Sequence, residues 1–226
     1  MPFDWVCGLE QEVVFGINEQ MEKRPSFLDI ARILDLEGIG GCGKDTQERK
    51  IEKYLRGLGI EFLMTREHTR DTPPGALIER IIHKKEPQID SLALQLMYVS
   101  DRRNHYVRKI KPSLDVGMTV VANRYYPSTV AYSPPEWRQT MLDLNQTVVA
   151  RPDLVIIIDT DPEVAARRVE TRGDGDIFDK VESLKRCREG YEWYAANSGD
   201  PVVWVDGNGT IEQVFELIKE EIQIRR

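Results

Sequence analysis

The stretch DLEGIGGCGKDTQ, residues 35–47, joins an apolar run of strand length to an amphipathic helical pattern through a glycine loop that ends in lysine. Few local patterns restrict a fold more. Gly38, Gly43 and Lys44 stand in the spacing GxxxxGK, a loop whose backbone N–H groups cradle phosphate oxygens at the start of the next helix. The pattern continues with Ser or Thr, whose hydroxyl sits on Mg²⁺; this chain has Asp45 there. Gly38, Gly40 and Gly43 also satisfy GxGxxG, with Glu61 about where a ribose-binding acid belongs in a dinucleotide fold. Lys44 decides between the two. A lysine in the first helical turn opposes the helix dipole unless phosphate oxygens neutralise it, and a nucleoside triphosphate supplies those oxygens. The bland alternative is a glycine turn with a solvated lysine; the strand before and the helix after argue against it.

The rest of the chain repeats the strand–helix alternation. ARILDLEG, IEFLMT from Ile60, MTVVAN from Met118, LVIIID from Leu154 and PVVWVD from Pro201 read as strands. Ile51, Tyr54, Leu55 and Leu58 recur at helical spacing after the loop, closed by Gly57 and Gly59. A long helical region is expected over residues 91–111, ending before Pro112. Ile211, Val214, Phe215, Ile218 and Ile222 mark a final helix. Strands that are apolar throughout imply an α/β fold, a parallel sheet covered by helices on both faces. Ligands in such sheets bind at the carboxyl ends of the strands, so the loops after Leu36, Thr65, Asn123 and Asp159 should carry the site. Leu9, Val13, Ile17 and Met21 predict an amphipathic helix in an N-terminal extension, residues 1–30, ahead of one domain over 31–226.

The formal charge of -7 argues against non-specific nucleic-acid binding, though not against a small anion. Arginines cluster mid-chain at 66, 70, 80, 102, 103, 108 and 124. Cys7, Cys42 and Cys187 are odd in number and widely spaced, so no disulfide or zinc framework follows and a reducing cytosol is the default. The apolar runs are too short for a membrane span, and the N-terminus lacks a basic n-region. A cytoplasmic protein is expected.

Six segments in order resemble the thymidylate kinase family. LEGIGGCGKDTQ is similar to its opening E-G-x-D-G-x-G-K-S-T-Q, and TREHTRDTPPG (65–75) to T-R-E-P-x-x-T-P-x-G. LMYVSDRRNH (96–105) resembles L-x-F-x-A-D-R-x-x-H, and NRYYPSTVAYS (123–133) resembles D-R-Y-x-x-S-x-x-A-Y. Residues 151–173 are similar to the strand leading into the family's lid, and VDGNGTIEQV (205–214) to its last strand-to-helix turn. Each alone is weak; together they cover roughly residues 32–222.

The resemblance implies ATP-dependent phosphorylation of dTMP to dTDP on a P-loop kinase fold with a five-stranded parallel sheet and a small lid at about 168–181. By that pattern Gly38, Gly40, Gly41, Cys42, Gly43, Lys44, Asp45 and Thr46 hold ATP. Arg66, Arg124 and Arg70 hold the monophosphate. Tyr98 stacks on thymine, Arg102 donates to its O4, Ser128 and Thr129 line the base pocket, and Tyr132 packs under the deoxyribose. Lys44, Arg124, Arg168 and Arg172 are the implied charge stabilisers at the transferring phosphoryl group. Mg²⁺ would enter with ATP, and a homodimer is implied.

Bland readings stand beside these. Tyr98 could be a core aromatic, Arg102 a surface ion-pair former, Arg168 and Arg172 an exposed basic helix face, and Cys42 a residue small enough for a crowded loop. Three departures surround the expected metal site: Gly40 and Asn123 each replace a family aspartate, and Asp45 replaces the loop hydroxyl. Asp45 is the candidate metal ligand. His68 stands where the family has proline. The departures leave two alternatives open: a kinase for another pyrimidine nucleoside monophosphate, and a nucleotide-binding protein without transfer activity.

Overall fold

A computed structural model describes residues 32–173 and 175–224. The expected N-terminal helix over 1–30 lies outside the described residues. Five strands, β1 (Ile33–Glu37), β2 (Phe62–Arg66), β3 (Thr119–Asn123), β4 (Leu154–Asp159) and β5 (Val202–Asp206), form one sheet in the order β2-β3-β1-β4-β5. Every pairing is parallel. Four strands fall inside their expected apolar runs, and β2 runs one residue past its own, to Arg66. The three central strands are buried at nearly every residue, while the edge strands β2 and β5 are only half covered.

Helix α1 (Lys44–Gly57) buries Gln47, Ile51 and Leu55, a stripe at four-residue spacing. Leu58, expected on that stripe, lies past the helix end and is exposed. The last helix, α9 (Ile211–Ile224), buries Val214, Ile218 and Ile222 beside it, and Phe215 meets Tyr54 of α1 edge-on.

Helix α2 (Pro73–Ile82) begins at Thr72, whose hydroxyl accepts from the Gly75 amide, with Pro73 in the first turn. Helix α3 (Ser91–His105) is capped by Asp90, which accepts from the Ala93 amide. The helical run does not stop before Pro112. A π turn over Tyr106–Ile110 carries it into α4 (Lys111–Asp115), with the proline in α4's first turn. There a missing N–H removes no bond the new segment needs, and the wider turn ahead changes the carbonyl pattern the ring would otherwise strike.

Helices α5 (Tyr126–Tyr132) and α6 (Arg138–Val148) follow β3. Asp161 caps α7 (Pro162–Arg172) by accepting from the Glu163 and Val164 amides, and α8 (Val181–Asn197) packs back on α5. No helix among the described residues is long and apolar enough to cross a membrane.

Candidate active site

The carboxyl ends of the strands open into one cleft of about 290 Å³. The loops after β1, β2 and β3 line it, as expected. The loop after β4 does not; it braces the glycine loop from behind, Thr160 Oγ1 donating to the Cys42 carbonyl at 3.4 Å.

The glycine loop fits its surroundings closely. Gly41 has a φ of 76°, and a Cβ there would fall 2.2 Å from the Ala165 carbonyl of α7, so backbone conformation and space both require glycine. A Cβ on Gly40 would fall 2.1 Å from Asp179 Oδ1. The Asp179 carboxylate, from the segment after Arg172, thus occupies the space a side chain at position 40 would enter. α1 starts directly at Lys44 with no side-chain cap, so its first amides face the cleft.

Lys44 folds over this loop. Its ammonium donates to the carbonyls of Gly38 at 2.8 Å and Ile39 at 2.9 Å and lies 3.3 Å from Cys42 Sγ. Burial, then the neighbouring Arg124, lowers its pKa. Cys42 itself is buried in the core.

Beside the loop Asp45, the candidate metal ligand, joins a four-residue network. Asn123 Nδ2 donates to Asp45 Oδ1 at 3.0 Å and to Glu48 Oε2 at 2.6 Å, and Arg66 pairs with the same two oxygens at 3.0 and 2.5 Å. Burial would raise the Asp45 pKa, but Arg66, the Asn123 amide and Lys44 outweigh it and hold the carboxyl below its usual range. A second aspartate in place of Asn123 would have met two carboxylates; the amide turns repulsion into two hydrogen bonds.

Arg124 enters the cleft from a left-handed backbone position, φ 71°. Its guanidinium donates to the Gly38 carbonyl, Ser128 Oγ and Tyr191 Oη, and it stacks 5.3 Å from the Tyr132 ring. Glu37, at the end of β1, organises this corner. It accepts from the amides of Tyr125 and Ser128 and from the hydroxyls of Ser128 and Tyr191. The sequence reading passed Glu37 over, although a carboxylate closing an apolar strand must find such partners when buried. Asp35, two residues earlier, is buried with neither carboxyl oxygen hydrogen-bonded, and burial together with Glu37 raises its pKa well above the usual range.

Arg102 is buried rather than at the surface. It donates to Glu67 Oε2 at 2.6 Å, Thr129 Oγ1 at 2.8 Å, Asn145 Oδ1 at 2.7 Å and the Tyr125 carbonyl at 3.1 Å, and it still lines the cleft. The ion-pair rival at the surface is thus replaced by a buried pair with Glu67, which His105 also contacts. Tyr98 packs against the small cluster of Ile78, Ile81, Ile82 and Leu94 while lining the cleft. The Glu67–His68 peptide is cis, and the His68 ring lies edge-on to Tyr98 at 5.7 Å. Asp101 fixes the same loop by accepting from the Thr69 amide and from the hydroxyls of Thr69 and Thr72.

The cleft therefore gathers Gly40, Gly41, Gly43, Lys44, Asp45 and Thr46 with Arg66, Arg70, Tyr98, Arg102, Arg124, Ser128, Thr129, Tyr132 and Arg172. Gly38 and Cys42 sit behind its wall. Arg168 does not line it; its Nη1 donates to the Gly207 carbonyl at 3.4 Å, toward the turn after β5. Arg70 is held over the rim by Glu79, 3.3 Å away. Residues the sequence reading missed are Glu37, Glu48, Gln95, Asp176 and Asp179. Asp176 has its pKa raised by burial and by Asp179.

Residues 36–218 match the sequence model of the family described as thymidylate kinase. A probable thymidylate kinase of Methanosarcina acetivorans is 32% identical over 84% of this chain and 95% of its own length. Another, of Thermococcus gammatolerans, is 36% identical over 83% and 95%. A thymidylate kinase of Nostoc punctiforme is 31% identical over 85% and 96%.

Proposed function

The chain belongs to the thymidylate kinase family, and we propose that it transfers the terminal phosphoryl group of ATP to dTMP, releasing dTDP and ADP. The observation that carries this reading is one cleft that brings a glycine loop, three arginines and a tyrosine together. Lys44 and the glycine-loop amides share it with Arg66, Arg70 and Arg124, of which Arg66 and Arg124 reach the loop at Asp45 and the Gly38 carbonyl, and Tyr98 and Arg102 line it beside them. Phosphoryl transfer needs this more than it needs a base. A monophosphate oxygen is largely deprotonated at neutral pH, so it attacks the γ-phosphorus as the bond to the β-phosphate oxygen breaks.

The roles follow from charge and placement. Lys44 releases its loop carbonyls to hold the donor phosphates. Arg124, braced by Ser128, Tyr132 and Tyr191, spans donor and acceptor, since it touches both the Gly38 carbonyl and the acceptor wall. Arg172 is the lid's charge stabiliser at the rim; Arg168, on α7, would have to leave the Gly207 carbonyl to join it at the transferring phosphoryl group. Tyr98 stacks on the base, with Ser128 and Thr129 beside it, and Tyr132 packs under the sugar. The lid spans about residues 168–181 of a kinase domain over 31–226.

A Mg²⁺ ion bound with ATP fits the residues present. Asp45 is a hard-oxygen donor at the cleft, and its contacts to Arg66 and Asn123 both fall on Oδ1, which leaves Oδ2 for a cation. Mg²⁺ would neutralise the β- and γ-phosphate oxygens as charge shifts between them. The proposal extends to a cytosolic homodimer.

A coupled ADP-release assay across the nucleoside monophosphates tests the function. dTMP is the best acceptor and UMP much poorer; a preference for CMP or AMP overturns the proposal.

A further inference from the structure

Arg66 closes β2 and Asn123 closes β3, and the two are register partners across the parallel pair. Asp45 and Glu48 stand three residues apart near the start of α1, so both reach the same strand ends. Glu48 differs from the other three. Asp45, Arg66 and Asn123 line the cleft, and Glu48 does not. Its side chain is 16% exposed, against 50% for Asp45 and 48% for Arg66. From outside the cleft its Oε2 accepts from Arg66 Nη2 at 2.5 Å and from Asn123 Nδ2 at 2.6 Å. Arg66 Nη2 also pairs with Asp45 Oδ1 at 3.0 Å. Nε and Nη1 of Arg66 make no hydrogen bond among the described residues, so three of the five guanidinium N–H groups stay open.

We propose that Glu48 is a positioning residue of the acceptor site: it anchors Arg66 through Nη2, so that the open N–H groups on Nε and Nη1 are set for the monophosphate of the acceptor nucleotide. Two physical effects oppose each other here. An arginine held in one rotamer before the ligand arrives loses less freedom on binding, which favours the phosphate. A carboxylate close to a phosphate repels it. Placement decides between them. Glu48 stays out of the cleft, so a phosphate held there meets the guanidinium and not the carboxylate. Its charge is also shared between two donors, Arg66 and the Asn123 amide. Asp45 is no dedicated anchor, since it is half exposed in the cleft and is the side chain proposed for Mg²⁺.

This inference rests on the reading of the cleft as a dTMP site with Arg66 at the phosphate. The test uses two ligands that differ only in the phosphate, dTMP and thymidine, bound to the full chain without ATP. Calorimetry gives Kd for each in the wild type, Glu48→Ala, Glu48→Gln, Arg66→Ala and the double variant Glu48→Ala/Arg66→Ala, with thermal melts as the folding control. In Glu48→Ala the Kd for dTMP rises about tenfold while that for thymidine stays within about twofold. Glu48→Gln keeps an acceptor oxygen at the same reach and loses less. In the Arg66→Ala background Glu48→Ala adds no further loss, because the anchor has nothing left to aim. In whichever Glu48 variant folds, an unchanged or tighter Kd for dTMP, or equal losses on both ligands, overturns the inference. So does a loss that adds in full to that of Arg66→Ala. A wild type that binds dTMP no more tightly than thymidine overturns instead the monophosphate reading beneath it.

Discussion

The Asp179 carboxylate stands where a side chain at position 40 would have to go: a Cβ on Gly40 would lie 2.1 Å from Asp179 Oδ1. Asp179 Oδ2 meanwhile accepts from the Asp176 amide at 2.8 Å, so the carboxylate is held by its own turn while it faces the glycine loop. Gly40 and Asp179 are therefore a matched pair across the cleft.

Gly40→Ala forces the Asp179 carboxylate away from the loop and off the Asp176 amide. Turnover drops about tenfold or more, and the loss is smaller when Asp179→Ala is present as well, because contacting residues do not contribute independently. Steady-state rates of the two single variants and the double variant give the coupling. Losses that simply add would show that the pair does not meet in the working protein.

Lys44→Ala leaves the fold intact, since the lysine's partners are loop carbonyls that water can satisfy in the open cleft. It removes the charge that holds the donor phosphates. Losing such a group costs about 3 kcal/mol of barrier, roughly a hundredfold in rate. Near-normal turnover in a folded Lys44→Ala protein defeats the phosphate-loop assignment.

Asp45 yields a pH prediction whose sign is fixed. Its carboxyl is held below the ordinary range, so its stabilising contribution is present above about pH 4, the unfolded value, and is lost as pH falls through the lower folded value. The side chains of Asp45 and Arg66 are half exposed, so the contribution is small, under about 1 kcal/mol. Chemical denaturation of Asp45→Asn and wild type should differ slightly at pH 7 and converge as pH falls below the folded value of Asp45. Asp45→Ala should also raise the Mg²⁺ concentration needed at fixed ATP. An unchanged Mg²⁺ midpoint returns Asp45 to a helix-start role alone.

Glu67→Gln tests the buried pair with Arg102. Both side chains are almost wholly buried, 3% and 1% exposed. Removing one charge from such a pair costs about 3–5 kcal/mol because the other is left uncompensated. A denaturation midpoint close to wild type would show that Asn145, Thr129 and the Tyr125 carbonyl suffice for the guanidinium.

The strands were legible because each is apolar at consecutive positions, a pattern only a sheet covered on both faces demands. The glycine loop was legible because spacing alone encodes it. Helix α2 was not, since the Thr72-Pro73-Pro74 start reads equally as loop. Pro112 misled because the π turn that precedes it has no sequence mark. The pairs that shape the cleft, Glu37 with Ser128 and Tyr191 or Gly40 with Asp179, join residues far apart in the chain. Periodicity carries no information about such partners, so Glu37 read as the last residue of a strand and Gln95 as one polar position on a helix.

The position of Arg102 bears on how such a pocket can change over time. The group proposed to read the base also ties α3 to α5, α6 and the loop after β2. Substituting it to admit a new nucleobase would unseat the core before any new preference could be selected. Divergence in acceptor choice must therefore run through neighbours that touch the cleft without tying helices together by hydrogen bonds, and on α3 Gln95, whose carboxamide nitrogen has no hydrogen-bond partner among the described residues, is one.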